Sequence, residues 1–119
     1  MTTFHFDAEP LPIADERQVI VPGGLASKAE LLTFLQSALA LPDYFGHNWD
    51  ALEECLTDPD WLTGKALILM HQDIPLEKFP VERKIYLQVL AAVAQEAGQK
   101  FEVHFPEADR AAVMRVLGE

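Results

Sequence analysis

Apolar residues change their spacing along this chain, and each change predicts an element. In TTFHFD, Phe4 and Phe6 alternate, which leaves an extra strand at a sheet edge open, and the proline- and acid-rich EPLPIADE follows, so residues 1–16 read chiefly as a loop or irregular lead-in. RQVIVPGG, residues 17–24, is a β-branched run stopped by Pro22, Gly23 and Gly24, which suits a buried strand and a turn. Ser27 and Glu30 then show the Ser-x-x-Glu spacing of a capping box. Leu31, Phe34, Leu35, Ala38 and Leu39 recur behind it at helical spacing, predicting a helix over 27–39. Pro42 and Gly46 break that pattern, and Asn48 is placed to cap a second helix over 49–57 whose apolar stripe is Trp49, Leu52, Cys55 and Leu56.

TDPDWLTG has turn chemistry, and KALILMH (65–71) is a continuous apolar run of strand length followed by a loop with two prolines. Ile85, Leu87, Val89, Leu90 and Val93 sit among alanines in a long helix from Val81 to Ala97, which Gly98 can end. KFEVHF (100–105) predicts a third strand, and Pro106 opens a last helix with acids in its first turn and Arg115 near its end. The order strand, helix, helix, strand, helix, strand, with unbroken apolar strands, implies an α/β fold. A small three-stranded parallel sheet is covered by helices through crossover connections. One domain over 1–119 is expected, with 1–16 as an N-terminal extension and 106–119 as a C-terminal helical addition.

Charge changes the picture. The chain carries 19 acids against 9 bases, a net charge of −10. That excess argues against nucleic acid or an anionic membrane as direct partners and favours a basic protein. The negative charge is also concentrated: between Lys28 and Lys65 there is no lysine or arginine, yet seven acids, Glu30, Asp43, Asp50, Glu53, Glu54, Asp58 and Asp60. Asp50 and Glu54 share one face of the second helix with Glu53 beside them, a face that repels itself unless something positive meets it. Taken alone, Asp50 suits the helix dipole and the two glutamates suit a solvated surface. Tyr44 and Phe45 beside them add aromatic area, the chemistry of an interface hot spot, and favour binding.

Other chemistry has little support. His5, His47, His71 and His104 lie on separate elements without metal-ligand spacing and read as structural or solvated, so no metal or cofactor is expected. An enzyme built on Cys55 and a histidine is conceivable, but Cys55 lies on an apolar stripe, where inert thiols are the rule. No G-x-S-x-G, phosphate-binding glycine loop or C-x-x-C occurs. The lone cysteine, the absence of an apolar signal core in MTTFHFDAEP and the shortness of runs such as ALILM point to a cytoplasmic setting without a membrane span.

Leu41, Pro42, Tyr44, Gly46, Asn48, Asp50, Ala51, Leu52, Glu54 and Leu56 match the pattern LPxYxGxNxDALxDxL. Over residues 39–58 the chain therefore resembles the barstar family, intracellular inhibitors of a secreted bacterial ribonuclease, and the order of elements extends the likeness over 17–105. The resemblance implies a compact α/β fold whose second helix and preceding loop plug the ribonuclease active site; the free protein is expected to be a monomer. Carried over by position, Tyr44 is the aromatic contact, Gly46 and Asn48 shape the loop, and Asp50 is the first phosphate-mimicking carboxylate. Glu54 stands where the family has its dominant aspartate, Glu53 where it has a tryptophan and Trp49 where it has a leucine. An acid that the family supplies from its third helix falls near Ala92 or Val93. These departures point to a related or diverged basic ribonuclease rather than barnase itself. The alternative is a non-catalytic adaptor or regulatory module of the same fold, its acidic helix meeting another basic protein.

Overall fold

The computed structural model describes residues 4–6, 16–41, 48–57, 66–97 and 101–117. In chain order these form β1 (His5–Phe6), β2 (Glu16–Val21), α1 (Lys28–Ala38), α2 (Trp49–Thr57) and β3 (Ala66–His71). There follow α3 (Pro80–Ala97), β4 (Phe101–Phe105), a 3-10 turn (Glu107–Asp109) and α4 (Arg110–Leu117). The capping box is formed in full: Glu30 N–H donates to Ser27 Oγ at 3.1 Å, and Ser27 N–H donates to Glu30 Oε1 at 3.2 Å. Two expected boundaries shift. Pro80 becomes the first residue of α3, where a missing N–H costs nothing. The C-terminal helix is preceded by a 3-10 turn in which Asp109 N–H bonds the Pro106 carbonyl. The expected stop at Gly98 lies outside the described residues.

The α/β class holds, and the strand count is corrected. Among the described residues the sheet has four parallel strands in the order β1-β4-β3-β2, not three. The fourth is His5–Phe6, within the segment expected to be irregular. The Phe4/Phe6 alternation is its trace in the sequence, too short to stand as a strand alone, and tertiary contacts hold it. His5 pairs with His104 and Phe6 with Phe105, while the rings of Phe4 and Phe6 lie 5.4 and 6.4 Å from that of Phe105.

Register and alternation divide the sheet into two unlike faces. Val21, Leu67, Leu69, Val103 and Phe105 face a core into which α1 sends Leu31, Leu32 and Leu35, α2 sends Leu52 and Leu56, and α3 sends Leu87, Leu90 and Val93. The other face carries Gln18, Ile20, Ile68, Met70, Glu102, His104 and His5, a mixed set in which Ile20, Gln18 and His5 are exposed. Only the inner strand β3 is apolar on both faces, which is why KALILMH shows no alternation. Where β2 and β3 end, two loops interlock. Gly23 and Gly24 N–H groups donate to Gln72 Oε1 and Asp73 Oδ2, and Leu76 N–H donates to the Leu25 carbonyl. Gly24 has φ +86°, a conformation that a side chain would strain. Arg83 Nε and Nη2 tie the second loop to α3 through the carbonyls of Pro75 and Ile74, both at 2.9 Å.

His71, the last residue of β3, is buried with both ring nitrogens bonded. Nδ1–H donates to the His104 carbonyl (3.1 Å), so Nε2 is left to accept the Tyr86 hydroxyl proton (2.6 Å). Desolvation is the main cause pushing the His71 pKa down to about 3, and burial likewise raises that of Tyr86. A histidine whose folded pKa lies below its unfolded value of 6.5 supports stability fully above pH 6.5 and progressively less as pH falls toward 3. In urea titrations, the stability advantage of the native chain over His71→Gln is therefore expected to shrink by about 2 kcal/mol between pH 7 and pH 5. Tyr86→Phe, which leaves Nε2 without a donor, is expected to cost about 1–3 kcal/mol. A pH-independent difference for His71→Gln would disprove the neutral buried imidazole.

Candidate functional site

Helix α2 begins as its sequence requires. Asn48 Oδ1 accepts the Ala51 N–H at 2.7 Å, and the Asn48 carbonyl accepts that of Leu52 at 3.0 Å, so Asn48 is the cap. Asp50 lies in the first turn, where the helix dipole favours an anion. At the other end the Thr57 hydroxyl donates back to the Glu53 carbonyl at 2.8 Å. The helix has two unlike sides: Trp49, Leu52, Cys55 and Leu56 are buried, while Asp50, Glu53 and Glu54 are exposed. Burying such apolar side chains contributes about 2 kcal/mol each. Like charges at i,i+3 and i,i+4 cost only about 0.2–0.5 kcal/mol per pair. The packing outweighs the repulsion, so the carboxylates stay together on a helix that does not need them.

Of the residues expected at the site, Asn48, Asp50, Glu53 and Glu54 are thus brought together at the surface of one capped helix. Tyr44 and Gly46, with Phe45 and His47, lie outside the described residues. At the positions where a third-helix acid was missed, α3 offers an exposed Ala92 and a buried Val93. Helix α4 packs on α3 with Val113 in the core and leaves the three carboxylates exposed. The Cys55 thiol is buried, which gives the nucleophile reading no accessible group.

Sequence reasoning missed the residues that hold this helix in place. The Trp49 indole N–H donates to Glu82 Oε2 on α3, and its ring packs against Tyr86 at 5.8 Å. Lys28, from the start of α1, places its ammonium 5.6 Å from the Trp49 ring centroid, a cation–π contact. A positive charge therefore does reach the amino-terminal end of α2, from outside the lysine-free interval. No local signal announces these contacts, since Glu82 reads as an ordinary first-turn acid and Lys28 as a solvated helix start. Among the described residues no helix is long and apolar enough to cross a membrane.

A family model described as Barstar (barnase inhibitor) matches residues 19–114 of the 119. The match begins inside β2 and ends inside α4, so it takes in the whole of α2 but not β1. No curated protein matches the chain.

Because the acidic side of α2 carries no packing, Glu53→Ala and Glu54→Ala are expected to change unfolding free energy by no more than about 0.5 kcal/mol. Asn48→Ala, which removes the cap, is expected to cost about 1 kcal/mol. Chemical denaturation of the three variants checks both. A glutamate variant as destabilised as Asn48→Ala would mean that the carboxylates are structural.

Proposed function

This chain belongs to the barstar family, and from that premise we propose that it is a non-catalytic protein inhibitor of a basic bacterial ribonuclease, acting in the cytoplasm as a single domain that is monomeric when free. One observation carries the reading: Asp50, Glu53 and Glu54 form an exposed carboxylate surface on a helix whose opposite side is packed into the core. A ribonuclease holds a polyanion with lysine, arginine and histidine. Carboxylates on a rigid helix can occupy the phosphate positions, exclude RNA and draw the two proteins together.

Rigidity matters because ordering a mobile helix on binding would subtract from affinity. Here the order exists beforehand: Asn48 caps the helix, and Trp49 is fixed by Glu82 and Tyr86. In this reading Tyr44 supplies the aromatic contact and Gly46 shapes the loop before the helix. Glu54 sets the partner's identity. Its side chain is one methylene longer than the family's aspartate, and at a desolvated ion pair that displacement disturbs the fit. A related or diverged ribonuclease is therefore favoured over barnase.

Titration of the protein into barnase and into any ribonuclease encoded beside its gene, followed by RNA cleavage at low and high salt, tests the proposal. Inhibition of the neighbouring enzyme is expected, weakening as salt screens the charges. Asp50→Ala and Glu54→Ala are each expected to raise the inhibition constant roughly thirtyfold, the effect of losing about 2 kcal/mol at a hot spot. A folded protein that inhibits neither enzyme would displace this reading in favour of the adaptor.

A further inference from the structure

The mixed face of the sheet brings together three side chains from opposite ends of the chain. Parallel register sets His5 of β1 beside His104 of β4, and strand alternation turns Glu102, two residues before His104, to the same side. The imidazoles stack with centroids 4.7 Å apart. Glu102 Oε1 faces both rings, 3.5 Å from His5 Nε2 and 3.3 Å from His104 Nε2. One donor atom from each residue lies within 4.8 Å of the other two.

We infer that His5, Glu102 and His104 bind a zinc ion that clips β1 to β4. The donor set is two imidazoles and one carboxylate, with no thiolate, a combination suited to Zn²⁺ and unsuited to Ca²⁺ or Mg²⁺, which favour oxygen ligands. Zinc bonds of about 2.0–2.2 Å in tetrahedral geometry place neighbouring donors roughly 3.3–3.5 Å apart. The two separations from Glu102 already have that value. Three protein ligands leave the fourth position to water.

The surroundings grade the three ligands. His104 is buried, and its carbonyl is engaged by His71, so it is held in place before any ion arrives. Glu102 is partly exposed, and the His5 side chain, 46% exposed, has room to tilt out of the stack toward a shared ion. The ion would do structural work. β1 is a two-residue edge strand, and a metal shared with β4 ties it to the sheet. His5 lies outside the matched residues 19–114, so the site is completed by a segment beyond the family domain.

Calorimetric titration of zinc chloride into the EDTA-stripped full chain tests this inference. One Zn²⁺ per chain is expected, with affinity reduced about tenfold or more in both His5→Ala and Glu102→Gln. Neither side chain lies in the core, so both variants should keep the native circular dichroism spectrum. Thermal unfolding of the native chain is expected to move up by several degrees with zinc, and that of His5→Ala to move clearly less at the same zinc concentration. The inference is overturned by the absence of saturable one-to-one binding, by either variant binding as tightly as the native chain, or by Mg²⁺ binding as tightly as zinc, which would indicate only a diffuse acidic surface.

Discussion

Burying the His71 imidazole obliges the protein to keep it neutral and to supply both a donor and an acceptor, and several elements are arranged by that requirement. The acceptor is the His104 carbonyl, on the neighbouring strand β4. The donor is Tyr86, in the first half of α3, which brings that helix down onto the end of the sheet. The Tyr86 ring also meets Trp49, and the Trp49 indole is held by Glu82, one turn earlier on α3. A chain of specific contacts thus runs from the sheet through α3 to the first residue of α2. Hydrophobic burial supplies most of the cohesion in such a core, but it is non-directional. The polar contacts are what orient one helix against another.

That orientation bears on function. The carboxylates of α2 contribute nothing to packing and repel one another, so the fold carries them at a small cost in stability. The buried side of the helix absorbs that cost. A surface of this kind gains from a positively charged partner that relieves the repulsion, and the gain is larger when the helix is already ordered. Trp49 stands where the family resemblance implies a leucine, and its indole bonds a carboxylate on α3 that an aliphatic chain could not bond.

The two faces of the sheet divide the work. One is apolar and receives the helices, while the other mixes histidine, glutamate and glutamine with isoleucine and methionine. β4 shows the division within five residues: Phe101, Val103 and Phe105 point into the core, and Glu102 and His104 point to the other side. Alternation along a strand is enough to place an imidazole and a carboxylate side by side there, and a second strand in register is enough to add another imidazole.

Much of the architecture was legible in the sequence because it is written in local patterns. The Ser27–Glu30 capping box, the Asn48 cap, the stripe of Trp49, Leu52, Cys55 and Leu56, and the unbroken KALILMH run each express a rule that operates within one or two turns of chain. The acidic face of α2 was legible for the same reason, since helical spacing alone puts Asp50, Glu53 and Glu54 together. What the sequence could not express is pairing between distant segments. The Phe4/Phe6 alternation only hinted at β1, which exists through its register with β4. Lys28 and Glu82 meet Trp49, and His71 meets Tyr86, only once the helices have packed. His5 and His104, read separately as isolated histidines, become neighbours because two parallel strands lie one hydrogen-bond spacing apart. Local chemistry determined the elements and the charged face; the tertiary structure decided which residues anchor that face and which meet across the sheet, because those contacts depend on chain segments that only folding brings together.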